Sequence, residues 1–188
     1  MYNPIFFLLS FWYILPAYVA NGFAVFSKFF KNRHPIDGGR FFRDGRPVLG
    51  NGKSWEGFII GVVSGVCIGC VQYLTAPILL DVIEQYLIMP LELYPIVLFS
   101  LLQVFFVALG ALIGDLIGSF IKRRLNISRG RSAPVLDQLD FLVGAILLGW
   151  IVNQLPLIFI GFLLLVTPII HLLANIVGYL LKLKREPW

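Results

Sequence analysis

Charge is scarce in this chain: only 13% of its 188 residues are Asp, Glu, Lys or Arg, and 59% are hydrophobic. A soluble domain carries about 25% charged residues, so a water-soluble fold of this length could not bury so much apolar surface. Cysteine is nearly absent. Cys67 and Cys70 lie inside an apolar run beside Gly65 and Gly69, which excludes a disulfide framework and makes a zinc or redox site a poor reading of their spacing. Histidine is limited to His34 and His171, far apart, which argues against zinc; His171 reads most simply as a packed or interfacial residue. Positive charge is missing altogether from Ala76 to Leu93, where Asp81, Glu84 and Glu92 stand alone.

What is present is long apolar stretches, with a mean hydropathy of +0.87. Five are candidates to cross a bilayer: Pro4–Phe26, Trp55–Thr75, Tyr94–Phe120, Leu139–Asn153 and Leu155–Leu181. Asn153, Gln154 and Pro156 mark a tight hairpin between the last two. All 15 Lys and Arg fall between spans one and two (Lys28 to Lys53), between spans three and four (Lys122 to Arg131), or after span five (Lys182, Lys184 and Arg185). The positive-inside rule places both basic loops in the cytoplasm, the N-terminus outside and the C-terminus inside. The expected architecture is an all-α, polytopic integral membrane protein with five transmembrane helices. It forms one domain over residues 1–188, with cytoplasmic loops at about 27–54 and 121–138. No basic region precedes the first apolar run, so that run reads as a retained span, and Pro16 is expected to kink it.

Span two carries Gly57, Gly61, Gly65 and Gly69, and span three carries Gly110, Gly114 and Gly118. Four-residue spacing puts each set on one helix face, a smooth stripe suited to close helix packing or to a groove for lipid chains.

Ionisable residues at membrane depth are costly and therefore candidates for function. Asp115 lies seven residues before Lys122, about 10 Å along a helix, and shares a face with Gly118, Ser119 and Lys122. Asp137 and Asp140 stand three apart where span four begins. They can cap that helix and complement its dipole, or converge with Asp115 as hard oxygen ligands for Mg²⁺. The first loop, with Gly52-Lys53-Ser54 before a helix, favours phosphate through glycine amides and a lysine. It is no P-loop, because Pro47 stands where that motif needs glycine. Some of these cations serve orientation or lipid headgroups alone. Lys122, Arg123, Arg124, Arg129 and Arg131 lie between the carboxylates, an arrangement that fits a polyphosphate–Mg²⁺ complex.

Taken in order, Pro35-Ile36-Asp37-Gly38-Gly39-Arg40, Asp44-Gly45-Arg46-Pro47, Gly52-Lys53-Ser54-Trp55-Glu56-Gly57, Gly114-Asp115, Gly118-Ser119-Phe120-Ile121-Lys122-Arg123-Arg124 and Arg129-Gly130 through Pro134, Asp137 and Asp140 resemble the archaeal CDP-archaeol synthases. The resemblance covers both loops and their flanking spans. It implies transfer of CMP from CTP to 2,3-di-O-geranylgeranylglycerol phosphate, with release of pyrophosphate and a need for Mg²⁺. The chain lacks the His-Gly-Gly and Asp-Arg-x-Asp signature of bacterial and eukaryotic CDP-diacylglycerol synthases, and Ser54 stands where the family often has Thr. On this reading Asp115, Asp137 and Asp140 hold one or two Mg²⁺ ions, and Lys122, Arg123 and Arg129 neutralise phosphates. Lys53, with Gly52 and Ser54, grips either the leaving pyrophosphate or the attacking lipid phosphate. Asn21 and Gly22 contact nucleotide or headgroup, and Asp37, with Gly38 and Gly39, binds ribose or cytosine or merely caps its turn. The expected partners are CTP, an isoprenoid ether lipid phosphate and membrane lipids, with no nucleic acid, at the cytoplasmic membrane. The alternatives are a small transporter or scaffold, or a CDP-alcohol phosphotransferase; the latter's Asp-Gly-x-x-Ala-Arg run is absent.

Overall fold

The computed structural model describes residues 2–180. The basic residues Lys182, Lys184 and Arg185, and the end of the fifth expected span, lie outside them. Among the described residues the chain is helical: α1 (Leu8–Phe23), α2 (Trp55–Tyr86), α3 (Tyr94–Val97), α4 (Leu101–Arg124), α5 (Leu136–Gly149) and α6 (Leu157–Leu180). A 3₁₀ turn, Pro4–Phe7, leads into α1 and another, Ala24–Phe29, continues it. Only isolated bridges, Pro35 to Ser54 and Phe41 to Pro47, give the first long loop any extended pairing.

Three expected boundaries differ. First, α2 runs 32 residues, eleven beyond Thr75, and takes in Pro77. The Thr75 hydroxyl donates to the Val71 and Gln72 carbonyls at 2.9 and 3.3 Å, folding back along the helix just ahead of the proline. Second, the stretch expected as one span from Tyr94 is broken at Leu98–Ser100. Ser100 turns extended and caps α4 by accepting from the Gln103 amide at 3.2 Å. Third, α5 begins at Leu136 and spans only 14 residues, about 21 Å at the helical rise. Among the described residues four stretches are long and apolar enough to cross a membrane: Pro4–Phe29, Trp55–Tyr86, Leu101–Arg124 and Leu157–Leu180.

Helix α4 is the centre, packed by α1, α2 and α5, while α6 lies outside against α5 and α1. The core joins Tyr13, Ile14 and Ala17 of α1, Val107, Ala108 and Ala111 of α4, and Phe141, Leu142 and Ala145 of α5. Both glycine stripes are filled by protein. A Cβ at Gly61 would lie 2.7 Å from the Ala20 carbonyl oxygen, and one at Gly65 2.7 Å from that of Pro16, so the α2 stripe receives the α1 backbone. At Gly110 and Gly114 the same test meets carbonyl oxygens of Gly144 and Asp140 at 2.4 and 2.1 Å. These stripes therefore serve close packing, and the reading of them as lipid grooves is withdrawn.

Candidate active site

The phosphate-binding candidates sit on two ordered loops. Asp37 organises residues 37–50: its Oδ1 accepts from the Gly39 amide at 3.0 Å, and its Oδ2 from the Leu49 and Gly50 amides at 2.9 and 2.8 Å. Gly38 and Gly39 have φ of +58° and +72°, which the turn requires and which glycine adopts without strain. Burial pushes the Asp37 carboxyl up, but the bonds from Gly50, Leu49 and Gly39 outweigh it and hold the group below its ordinary value.

Arg124, at the end of α4, joins this loop to the bundle. It pairs with Asp44 at 2.9 Å, donates to the Pro47 carbonyl, and places its guanidinium 4.8 Å from the rings of both Phe42 and Phe120. Arg46 returns a hydrogen bond to the Arg124 carbonyl. Ser54 caps α2 by accepting from the Gly57 amide at 3.3 Å and is itself buried. The cap orients the chain so that Lys53 enters the bundle.

A cavity of about 790 Å³ lies at the loop end of the bundle. Asn21 and Gly22 of α1, Gly52, Lys53 and Ser54, Asp115 and Lys122 of α4, and Asp137 and Asp140 of α5 all line it. Lys53 Nζ sits 2.6 Å from both oxygens of Asp115, and Lys122 Nζ sits 2.8 Å from both oxygens of Asp137. The Arg131 carbonyl also accepts from Lys122, and the Ala133 amide donates to Asp137, each at 2.8 Å. Asp140 packs against Gly118, where an added Cβ would lie 2.0 Å from its Oδ2. Its Oδ1 accepts from the Phe141 amide at 2.6 Å, and no cation pairs with it among the described residues.

The expected site is thus only partly gathered. Arg123 and Arg129 do not line this cavity; they border a second one of about 430 Å³ with Asp37, Gly39 and Asn51. Gly52 stands between the two, its missing Cβ 3.3 Å from Arg129 Nε. Gly38 lines neither. Among the described residues no three acidic, His or Cys side chains are already grouped as a metal site. The donor set still suits Mg²⁺, since three carboxylates open onto one polar cavity and Asp140 has no cationic partner there.

Ser119 and Arg131, noted in the sequence beside Asp115 and among the loop cations, line the cavity as well; sequence reasoning missed Arg33 and Gln138 and, on α6, His171 and Asn175. The last pair carried a signal, since two polar residues four apart in an apolar span share a face. His171, expected as packed or interfacial, faces the cavity.

A family model described as CarS-like CDP-archaeol synthase matches residues 1–188. A CDP-archaeol synthase of Methanocaldococcus jannaschii is 43% identical over 179 residues, covering 95% of this chain and 96% of that protein. One of Pyrococcus abyssi is also 43% identical, over 186 residues and 99% of both chains. A solved structure described as an intramembrane enzyme for archaeal membrane lipids biosynthesis is 33% identical, with a TM-score of 0.65, covering 93% of this chain and 95% of that one.

Proposed function

The chain belongs to the CDP-archaeol synthase family, and from that premise we propose that it transfers CMP from CTP to 2,3-di-O-geranylgeranylglycerol phosphate, giving CDP-archaeol and pyrophosphate. It is a multi-pass membrane enzyme, a CTP-dependent cytidylyltransferase. The observation that supports the assignment of its site is the meeting of Lys53, Lys122, Asp115, Asp137 and Asp140 around one cavity from three separate stretches of chain.

The acceptor is a phosphate monoester whose oxygens are ionised near neutral pH, so attack on the α-phosphorus of CTP needs no strong base. A bond forms from the lipid phosphate oxygen to that phosphorus, and its bond to the pyrophosphate oxygen breaks. The protein's task is to bring two polyanions together and neutralise them. Lys53 and Lys122 both line the cavity and would do this. Asp115 holds the Lys53 ammonium and Asp137 that of Lys122. Asp115, Asp137 and Asp140 would hold Mg²⁺, which when bound supplies charge neutralisation at the phosphates. Arg123 and Arg129 border the neighbouring cavity and would serve part of the nucleotide beyond Gly52, while Asp37 holds the loop that forms its wall.

Five spans with the N-terminus outside fit this reading. The N-terminal end of α5 lies beside Lys122, while the turn after it reaches the other end of the bundle, where Asn153 Nδ2 donates to the Pro95 carbonyl at 2.7 Å. So α5 traverses the bundle despite its length, and the site faces the cytoplasm, where CTP is found. A transporter would place polar groups near the midplane; here they gather at one end.

Purified protein should form CDP-lipid and pyrophosphate from labelled CTP and the prenyl-ether phosphate only with Mg²⁺. Asp115→Asn, Asp137→Asn and Asp140→Asn should each lower turnover at least about a hundredfold while the protein still elutes as a folded species in detergent. Undiminished turnover in chelator, or in all three variants, would refute the metal assignment.

A further inference from the structure

The outer halves of α1 and α6 are zipped together. Phe7 meets Phe159 and Phe162 with ring centroids 5.1 Å apart in each case, Phe11 meets Phe162 at 5.5 Å, and the Tyr18 hydroxyl bonds Thr167 Oγ1 at 2.7 Å. One turn further toward the loops, direct contact gives way to the main cavity on both helices at the same level. Asn21 and Gly22 follow Tyr18, His171 and Asn175 follow Thr167, and all four line the cavity. Val25 and Leu172 line the same cavity and are 50% and 45% exposed, so its wall here includes apolar side chains that the protein leaves uncovered.

The two substrates reach the site by different routes. CTP comes from water, past the loops that carry Lys53 and Lys122. The acceptor comes from the membrane and must enter through a wall of helices. At the α1–α6 seam that wall carries both polar groups, Asn21, His171 and Asn175, and exposed apolar ones, Val25 and Leu172. Polar residues on an otherwise apolar helix are costly in a membrane, which makes His171 and Asn175 candidates for a substrate contact.

Resting on the cytidylyltransferase reading above, we propose that His171 and Asn175 bind the phosphate headgroup of the lipid acceptor as it enters between α1 and α6. Asn175 Nδ2 lies 3.3 Å from His171 Nδ1. This contact ties the ring to the amide one helical turn on, so the two polar groups act together at the cavity wall. Asn175 is the positioning residue, buried to 7% exposure, and His171 is the contact. The His171 ring also lies 6.5 Å from that of Phe141, which limits its tilt. The isoprenoid chains leave through the seam beside Val25 and Leu172.

The test separates the two substrates. With full-length protein in detergent, KM is measured for the prenyl-ether phosphate and for CTP, and CTP-induced thermal stabilisation reports folding and nucleotide binding. His171→Phe keeps the ring and its packing on Phe141 but removes the donor. His171→Gln keeps a donor and loses the ring. The lipid KM should rise about tenfold or more in His171→Phe and in Asn175→Ala, as expected for a lost hydrogen bond to a charged group, while the CTP KM stays within about twofold. His171→Gln should recover most of that loss. Activity retained in His171→Phe but lost in His171→Gln would make the residue a packing element and overturn the proposal. So would equal loss toward both substrates, or loss of the CTP-induced stabilisation in every variant. A wild-type protein that is stabilised by CTP yet forms no CDP-lipid would overturn the enzymatic reading instead, whatever the variants do.

Discussion

Where a charged residue of the two loops has a definite partner, that partner decides its role. Arg124 would pass in the sequence for another phosphate ligand, yet it holds Asp44, the Pro47 carbonyl and two phenylalanine rings, and so fastens the first loop to α4. Lys53 and Lys122 were legible as cations near carboxylates. Which carboxylate each would meet was not, because the pairing of Lys53 with Asp115 joins residues 62 apart in sequence. Asp37 stood open between a ligand and a turn cap, and its three amide bonds favour the cap. Its folded-state pKa is depressed, so it contributes stability to the loop above its unfolded value, and that contribution is lost as pH falls through the folded one. Hydrogen exchange over residues 37–50, corrected for intrinsic rates, should therefore be slow near neutrality and accelerate in acid below about pH 4. Asp37→Asn cannot satisfy all three amides, because its NH₂ must face one of them. Its loop should exchange faster at neutral pH with little further change on acidification.

At the scale of helices, the glycine stripes were the most legible feature, because spacing alone places them on a face. Their partners were not legible: nothing in the sequence says that the α2 stripe receives α1 and the α4 stripe receives α5. The α4–α5 contact matters most for function, since the Gly114 stripe and the Asp140 backbone meet there and Asp140 opens onto the site. A Cβ at Gly114 would lie 2.1 Å from the Asp140 carbonyl oxygen, which is backbone and cannot rotate away. Gly114→Ala should therefore push α5 outward, destabilise the protein by about 1–3 kcal/mol or more, and carry Asp140 out of position. Turnover should fall at least about tenfold even where the protein remains folded, since displacements of about 1 Å at a reacting centre cost this much. Gly161 on α6 has nothing within 4 Å of its Cβ position. Gly161→Ala should leave turnover unchanged and hold or slightly raise the melting temperature, because alanine is the better helix former. A thermal melt and an activity assay on the two variants check both expectations, and a fully active Gly114→Ala would show that the close approach is dispensable.

For the whole molecule, hydropathy located the four long apolar helices among the described residues but not where they stop. Helix α2 continues to Tyr86 because Asp81 and Glu84 lie beyond the apolar run, where solvent tolerates charge and no glycine ends the helix. The break at Leu98–Ser100 was hidden inside a continuous apolar stretch, since hydropathy is blind to backbone direction. The length of α5 raises the sharper question. Its 14 residues span about 21 Å against a hydrocarbon core of about 30 Å, so by length alone it need not cross. Its ends argue that it does, because Asp137 pairs with Lys122 at the loop end and Asn153 bonds Pro95 at the other. Packed on α4, α1 and α6 with only one face exposed, at Val143 and Leu147, a short helix meets less of the mismatch than a fully lipid-exposed one would. With Cys67 and Cys70 replaced by alanine, single cysteines at Asn51, Gln85 and Gln154 test both crossing and orientation. In intact cells an impermeant maleimide should label Gln85→Cys and Gln154→Cys, and should reach Asn51→Cys only after permeabilisation. Labelling of Asn51→Cys alone would invert the orientation. Labelling of Gln154→Cys together with Asn51→Cys, and apart from Gln85→Cys, would mean that α5 enters and returns on the loop side, leaving four crossings and placing α6 with its polar pair upside down relative to the site.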